Sequence, residues 1–407
     1  MSEDLEALYR RHARGLILAL ARRAGEGDEA RAEAAVHEAF VRAQTQWAEA
    51  APENSIGWLR AVARNVLVDD ARKRNLRRGL ASDALPAVAP EPEAVLPGEW
   101  DEELLRMIFT VCDPALTLDG QVAFALRVLC GLEIQSLAAL FGTSEATIRK
   151  RLSRARRTLA ARLETPLREH SAERLDGVLR VLYAVFSEGH KARSGDLPLR
   201  EDLVREAMRL AEVLRRGWLG PTRRIEALLA LMKLTAARIP ARRGVGGVLV
   251  PLDRQDRTLW DQSLIHEGLS HLAATAHGET VLPLQLEAAI AGCHAVSPSF
   301  GETDWDRLVA LYHNLYAARR SVVVGTNLAM ATGWRDGAEA GLAVLDSLDG
   351  RNHLPWHASR GELLGRAGDA LGAEAAFRRA AALAGTAGDA AYFQRRADEF
   401  SRALPRP

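Results

Sequence analysis

Several features that mark particular protein classes are scarce in this sequence of 407 residues. The three cysteines, Cys112, Cys130 and Cys293, are widely spaced and include no CxxC pair. They fit buried thiols in a reducing compartment better than a disulfide framework or a zinc site. No apolar run reaches the roughly 18 residues that a membrane span needs, and the acidic N-terminus lacks the apolar segment of a signal peptide. We therefore expect a cytoplasmic protein with no membrane partner.

Excess charge and strand-like patterns are also missing. The formal net charge is only +1, so any binding of nucleic acid must come from local basic patches that acidic regions balance elsewhere. Alternation of Val, Ile and Thr is scarce, whereas Ala, Leu, Arg and Glu dominate and favour helices. Hydrophobic residues make up 48% of the chain, which is enough for two or three domains with cores. The composition therefore predicts an all-α protein.

Residues 133–157 carry the clearest local pattern, which predicts a helix-turn-helix. Apolar residues recur at helical spacing up to Phe141. Gly142 follows where a helix stops and the backbone needs a left-handed residue. Thr143 and Ser144 then offer hydroxyls that can cap a second helix.

The two faces of that second helix differ in character. Ile148, Leu152 and Ala155 can face the first helix, and the opposite side is basic. A basic amphipathic helix alone is equally typical of a solvated helix in a bundle, but the cap, the glycine turn and the basic face together favour DNA binding. Arginines on such a face can reach guanine edges and phosphates in the major groove. The residues that point outward on this face, and are expected to contact DNA, are Arg149, Lys150, Ser153 and Arg154.

The N-terminal part predicts three helices, over residues 3–24, 29–47 and 56–75. Residues 56–78 contain seven arginines and lysines against two aspartates, which makes a second basic patch. Trp58 lies in line with Leu59 and Val62, so we expect it to anchor the core of its helix rather than to stack on a base. Residues 79–98 contain four prolines and predict an extended linker.

Three motifs resemble those of extracytoplasmic-function sigma factors, group 4 of the sigma-70 family of bacterial RNA polymerase. The stretch WLRAVARNVLVDDARKR is similar to the family's WL…A.N…D..R helix, and VHEAFVRA to the preceding helix that binds core polymerase. The stretch RKRLSRARRTL resembles the helix that recognises the −35 element. All three occur in the family's order and are separated by a linker. The resemblance implies that residues 1–78 are the region 2 domain and residues 99–163 the region 4 domain.

The resemblance also implies partners and contact residues. Core RNA polymerase and promoter DNA would be the partners. The four outward residues of the helix-turn-helix would contact the −35 element, and Arg156 and Arg157 would reach its phosphates. A loop around Pro52 and the helix after it would capture a flipped-out base of the −10 element, which is read by its edge in a pocket. Implied contacts to the −10 element come from Asn54, Ser55, Asn65, Arg64, Arg72 and Lys73. Implied contacts to core polymerase come from Val36, His37, Glu38, Phe40 and Val41.

Residues 164–407 extend well beyond a minimal sigma factor. Apolar spacing predicts helices over residues 173–187, 200–216, 222–238, 255–277, 282–295 and 305–318. Gly361, Ala373, Phe377 and Ala380 match the small and aromatic positions of one tetratricopeptide repeat. Several stretches resemble the subgroup that carries a C-terminal tetratricopeptide-like domain. The resemblance implies that this extension regulates activity, either packed on the sigma domains or bound to an unknown regulator.

Other functions are weighed against this hypothesis. The spacings of His266 with His271 and of His353 with His357 favour surface or capping histidines over metal ligands. Acidic residues at 302, 304 and 306 favour capping of a helix over acid–base catalysis. We therefore expect no enzyme, metal or cofactor. The main alternative is a ligand-responsive helix-turn-helix regulator that binds duplex DNA without polymerase, which would leave the basic helix at residues 56–75 without a role.

Overall fold

Helices make up every regular element of the chain that the computed structural model describes, so the all-α prediction is confirmed. The described residues are 29–47, 55–77, 99–160, 170–190, 200–242, 250–278, 280–385 and 387–403, with Pro52 and seven of the first twenty residues. Contacts divide the chain into two compact units. Unit 1 comprises residues 1–181 and 216–219, and unit 2 comprises residues 182–215 and 220–407. None of the described helices combines the length and apolar character of a membrane span.

Unit 1 begins with a small helical core. Helix α1 spans Glu29–Gln46 and helix α2 spans Ser55–Arg77. Leu59 and Ala63 of α2 are fully buried against Ala39 and Ala43 of α1, because small residues let the two helices approach closely. Of the helix predicted over residues 3–24, only seven residues are described; all are helical, and four are buried in this core. The predicted linker at residues 79–98 lies outside the described residues.

The second part of unit 1 holds helices α3 (Glu99–Val111), α4 (Leu118–Val128), α5 (Ile134–Leu140) and α6 (Glu145–Ala160). Helix α4 ends at Val128. Gly131 adopts a positive φ of 73°, and the Leu132 N–H donates to the Leu126 carbonyl at 3.0 Å. This left-handed turn satisfies a terminal carbonyl and stops the helix.

Helix α7 (Ser171–His190) starts in unit 1 and continues into unit 2, and it is followed by α8 (Glu201–Arg216). Within unit 1, Arg174 of α7 forms an ion pair with Asp113 at 3.2 Å, and both side chains are largely buried. Trp218, just after α8, stacks on Phe109 of α3 with ring centroids 5.7 Å apart. Residues beyond the predicted region 4 boundary at 163 therefore contribute to the packing of unit 1. The domain boundaries themselves stay predictions.

Unit 2 continues as a series of helices. They are α9 (Arg223–Ala236), α10 (Gln262–Ala273), α11 (Pro283–Val296), α12 (Trp305–Ala318), α13 (Val322–Asp336), α14 (Ala338–Asp346), α15 (Leu354–Arg366), α16 (Ala370–Ala382) and α17 (Ala387–Ala403). The helix predicted over residues 255–277 is too long, since the 3₁₀ turn Arg257–Leu259 lies in its first part and α10 begins only at Gln262. Asp261 caps α10 by accepting a hydrogen bond from the Leu264 N–H at 3.0 Å.

The last helices pack through small residues. Ala373 and Ala380 of α16 are fully buried, and Phe377 between them is 1% exposed. A Cβ atom on Gly361 of α15 would lie 2.8 Å from the Phe377 ring, so only glycine lets the ring lie against α15 at this distance. Gly361 and Phe377, two of the residues that match a tetratricopeptide repeat, thus meet at the contact between α15 and α16. Their membership of a tetratricopeptide repeat stays a prediction.

A charged cluster lies inside unit 2, and the sequence did not indicate it. Glu226 is 4% exposed and accepts hydrogen bonds from Arg215 at 2.8 Å and from the His271 ring at 2.5 Å. Glu212 contacts the same histidine and lies 2.9 Å from Lys233. The hydrogen bond to Glu212 raises the pKa of His271, and the same bond lowers the pKa of Glu212 to about 2. The expectation that His271 is a surface or capping histidine is therefore wrong.

Candidate nucleic-acid interface

The turn between α5 and α6 forms as its residues predict. Gly142 has a φ of 58°, and a Cβ atom there would meet nothing within 4 Å. Its requirement for glycine is therefore one of backbone conformation and not of space. The N–H groups of Gly142 and Thr143 donate to the carbonyls of Ala139 and Ala138 at 3.2 and 2.9 Å, which closes the end of α5.

Ser144 caps the start of α6, as predicted. Its Oγ accepts a hydrogen bond from the Thr147 N–H at 3.2 Å and lies 2.9 Å from the Thr147 hydroxyl. Such a cap satisfies one of the four N–H groups that a helix leaves open at its first turn. The cap and the glycine turn together fix the direction in which α6 leaves α5.

The inner face of α6 is buried, which confirms that prediction. Ile148 is fully buried, and Leu152 and Ala155 are 4% and 2% exposed. Leu137 of α5 is also fully buried. The sequence did not reveal a further contact, in which the Arg151 guanidinium lies 5.1 Å from the centre of the Phe141 ring. This arginine therefore packs on α5 and is not part of the outer face.

The outer face of α6 presents every polar residue predicted to contact DNA. All six are exposed: Arg149, Lys150, Ser153, Arg154, Arg156 and Arg157. Among the described residues, one ion pair involves these side chains, and it joins Arg149 to Glu145 at 2.6 Å. Both side chains of that pair are about half exposed, and such surface pairs contribute less than about 1 kcal/mol. The face thus carries a nearly uncompensated positive charge that suits phosphates.

Helix α4 holds this pair of helices on the rest of unit 1. The Gln121 amide donates to the carbonyls of Cys112 and Asp113 at 3.3 and 2.8 Å, and Gln121 itself is 7% exposed. The Asp113 carboxylate accepts from the Ala115 N–H at 2.8 Å and pairs with Arg174. These buried bonds fix the end of α3 and the start of α4, so the recognition surface is presented on a rigid support.

Helix α1 carries the residues predicted to contact core polymerase, and the structure separates them into two groups. Val36 is fully buried and Phe40 is 5% exposed, with Tyr9 edge-on to the Phe40 ring at 4.9 Å. The prediction that Val36 and Phe40 contact core polymerase directly is therefore wrong, because these two residues form the core that holds α1. His37 and Val41 are exposed and Glu38 is partly exposed, so these three form the accessible surface.

Helix α2 carries most of the residues predicted to contact the −10 element. Asn65 is exposed and Arg64 is half-buried. The Ser55 hydroxyl donates to the Pro52 carbonyl at 2.9 Å, so it stabilises the start of the helix. Asn54 lies outside the described residues, as do the side chains of Arg72 and Lys73.

The aromatic residues of this part pack as predicted for Trp58. Its ring is partly buried in the core of unit 1 and meets Trp47 of α1 edge-on, with centroids 5.2 Å apart. The ring therefore anchors α2 on α1, and the exposed side of α2 is polar.

Comparison with known proteins matches two segments of the chain to known families. Residues 114–159 match the sigma-70 region 4 family, and residues 174–276 match a family of unknown function, DUF6596. The region 4 match begins just before α4 and ends with α6, so it covers the whole helix-turn-helix. No solved structure matches the chain.

Two curated relatives differ in how much of the chain they cover. An uncharacterized protein of Rhizobium meliloti is 35% identical over 382 residues, which are 91% of this chain and 90% of that protein. A probable RNA polymerase sigma factor, RfaY of Xanthomonas campestris, is 34% identical over 140 residues, which are 32% of this chain and 34% of that protein. The chain therefore belongs to the family of the Rhizobium meliloti protein. Its sigma-70 region 4 segment and the partial likeness to RfaY support a factor of the sigma-70 family.

Proposed function

We propose that the protein is a sigma factor of the extracytoplasmic-function type, which binds core RNA polymerase and directs transcription initiation at −10/−35 promoters. The observation that carries the proposal is the outer face of α6, which lies within the region 4 match and exposes five cationic side chains and one serine. Arginines of such a face can form bidentate bonds to guanine in the major groove, and their neighbours can hold phosphates.

The remaining parts of unit 1 have complementary roles in this proposal. Helix α6 reads the −35 element. Helix α2 and the segment before it read the melted −10 element, with the exposed Asn65 as the base contact. Core polymerase binds the surface of α1 formed by His37, Glu38 and Val41, and the buried Val36 and Phe40 support that surface. We assign no catalytic step to the chain.

The C-terminal extension, residues 164–407, controls activity in this proposal. Its helical pairs support a tetratricopeptide-like array, because α15 and α16 interlock through Gly361 and Phe377. Control requires a binder with different affinities for an active and an inactive arrangement of the protein. Deletion of the extension should therefore change either the basal level of promoter-specific transcription or its regulation.

Run-off transcription with core polymerase and genomic promoter fragments tests the proposal. Arg149→Ala should lower initiation at the recognised promoters by about tenfold, because a lost guanine contact costs about 1–3 kcal/mol. Arg378→Ala is the matched control, since Arg378 is similarly exposed and also pairs with a glutamate four residues earlier. The control should leave initiation unchanged.

Two results would contradict the proposal. Equal loss with Arg149→Ala and Arg378→Ala would show that the face of α6 has no specific role. Full activity of Asn65→Ala at every promoter would remove the proposed base contact of α2. The second candidate function, a ligand-responsive regulator that acts without polymerase, is favoured by the cavity described below. It would bind duplex DNA alone.

A further inference from the structure

Unit 2 contains a cavity of about 350 Å³ that the proposed sigma function does not use. Its wall is built by α11 to α13, by α15 to α17 and by the 3₁₀ turn at Leu252–Arg254, so it brings together residues almost 150 positions apart in the chain. Small-molecule sites are typically concave, about 300–1,000 Å³ in volume, and lined by aromatic side chains with few polar groups. The cavity fits that description in size.

Three aromatic rings form one wall. Trp305 and Trp334 stack with centroids 5.6 Å apart and planes inclined by 15°. Phe300 meets both rings edge-on, at 5.1 and 4.8 Å. All three side chains are only partly buried although they touch one another, so each keeps part of its surface open. Such a wall favours a flat apolar group that can stack on it or meet it edge-on.

Charged side chains line the cavity with an excess of one positive charge: Arg254, Arg366 and Arg396 against Asp253 and Glu362. The mouth of the cavity is the part where Arg366 reaches solvent. Arg366 is exposed and lies over the Trp334 ring, with its guanidinium carbon 3.4 Å from the ring centre. Glu362, the nearest carboxylate on the same helix, is held by Arg396 through three hydrogen bonds of 2.8 to 3.1 Å. In the described part of the chain, Arg366 has no carboxylate within salt-bridge distance. It is therefore oriented by the tryptophan and open to an anion.

A buried polar atom lies next to the aromatic wall, where the His294 ring meets Trp305 edge-on with centroids 6.1 Å apart. His294 is 8% exposed, and its Nδ1 has no hydrogen-bond partner among the described residues. Burial lowers its pKa to about 4, and the neighbouring Arg238 and Arg257 act in the same direction. The ring is thus neutral at pH 7. A buried group without a partner is unfavourable, and a ligand that supplies a hydrogen bond removes that cost.

We propose that this cavity binds a small aromatic carboxylic acid that carries a second polar group on its ring. The ring lies against Trp305 and Trp334, the carboxylate meets Arg366 at the mouth, and the ring substituent forms a hydrogen bond with His294. The anionic group follows from the charge at the mouth, and the second polar group follows from the unpaired imidazole nitrogen. This site does not depend on the sigma function, so the two proposals fail separately.

Calorimetric titration of the full chain tests the site with four matched probes. They are 4-hydroxyphenylacetate, its amide, tyramine and phenylacetate, which share one ring and differ in the charged group or the hydroxyl. The acid should bind about tenfold more tightly than the amide and far more tightly than tyramine, because only the carboxylate can form a charged hydrogen bond with Arg366. Phenylacetate should bind more weakly than the hydroxylated acid.

Variants assign the contacts. Arg366→Gln should weaken the acid by about fivefold and leave the amide unchanged, a smaller factor than for a buried charge because the mouth is exposed. Arg378→Gln, on the neighbouring helix α16 and outside the cavity, is the control. His294→Phe should abolish the preference for the hydroxylated acid. His294→Asn, whose amide reaches the position of Nδ1, should retain it and serves if the phenylalanine variant does not fold.

Three outcomes would overturn the inference. The first is the absence of binding by both acids at millimolar concentration. The second is equal affinity for the acid and its amide. The third is an affinity for the acid that Arg366→Gln leaves unchanged in a chain that unfolds at the same temperature as the unaltered protein.

Discussion

The arginines on α6 in unit 1 and those around Trp260 in unit 2 have opposite roles. On α6 of unit 1, four arginines and a lysine point into solvent, and only Arg149 pairs with a carboxylate in the described part of the chain. In unit 2, Arg238 and Arg257 lie 5.6 and 4.7 Å from the centre of the Trp260 ring. Burial lowers the pKa of Arg238 to about 10, with the charges of neighbouring arginines as the next cause. The exposed arginines of α6 are therefore accessible to phosphates, whereas the partly buried Arg238 and Arg257 stabilise the fold of unit 2.

The largest expected effect comes from the buried charges of unit 2. Glu226→Ala leaves His271 and Arg215 without their shared partner, and breaking a buried pair in this way costs about 3–5 kcal/mol. We expect the unfolding free energy of unit 2 to fall by about 3 kcal/mol in urea, which is at the low end because Arg215 is partly exposed. Asp306→Ala is the control, since that carboxylate is 89% exposed and lies 3.7 Å from Arg335. A loss of less than about 1 kcal/mol for Glu226→Ala would show that the cluster is not structural.

Two glycines allow the stability cost of a steric clash to be compared with the cost of a left-handed backbone conformation. Gly361→Ala would place a Cβ atom 2.8 Å from the buried Phe377 ring, and such overpacking costs about 1–3 kcal/mol. Gly142→Ala meets no atom but must hold a left-handed conformation, which costs about 1 kcal/mol. Thermal unfolding of both variants measures the difference. The loss at position 361 should be the larger, and the reverse order would contradict the packing of α15 on α16.

The pH dependence of unit 2 follows from the same buried cluster. The folded pKa of His271 lies above its ordinary value of 6.5, so its contribution is complete below pH 6.5 and is lost as pH rises through the folded pKa. The folded pKa of Glu212 is about 2 against 4.5, so its contribution is complete above pH 4.5 and is lost as pH falls towards 2. Stability from this pair should therefore be greatest between about pH 4.5 and 6.5.

His271→Gln is the variant that isolates the alkaline limb of this profile. It should remove the loss of stability above pH 6.5, because the variant has no imidazole proton to release there. Urea unfolding at pH 5.5, 7 and 8.5 measures the slope. A slope that is the same with and without His271 would contradict the raised pKa.

The smallest effect is expected on the exposed face of α6. Glu145→Gln removes the carboxylate that holds Arg149, and an exposed pair contributes less than about 1 kcal/mol. Stability should hardly change, whereas affinity for promoter DNA should rise by up to about threefold, because one negative charge leaves the face. Fluorescence anisotropy of the polymerase complex on labelled promoter DNA measures it. Weaker binding would indicate that Glu145 itself contacts the DNA.

The local structure of the recognition element could be predicted from sequence, because its determinants are adjacent residues. Gly142 and Ser144 specify the turn and the cap through their own backbone and hydroxyl, and Ile148 specifies the inner face through helical spacing. The turns that end a helix are harder to predict where no capping residue or adjacent turn motif marks them. Gly131 stops α4 just after Val128, and the helical spacing of apolar residues alone does not indicate this stop.

Features that depend on distant residues could not be predicted. The histidine spacing of His266 and His271 suggested surface residues, yet His271 meets Glu212 and Glu226, which lie 59 and 45 positions earlier. The cavity of unit 2 likewise combines side chains from six helices and a turn. The burial of Phe40 depends on contacts with the N-terminal helical residues, so a motif match alone placed it on the partner surface.

Footprinting of a recognised promoter by the full chain, with and without core polymerase, tests the sigma assignment most directly. If the protein is a sigma factor, we expect protection of both the −35 and −10 elements only when polymerase is present. The −35 protection should be lost in Arg149→Ala and kept in Arg378→Ala. Protection of duplex DNA by the chain alone, unchanged on addition of polymerase, would contradict it and would favour the ligand-responsive regulator.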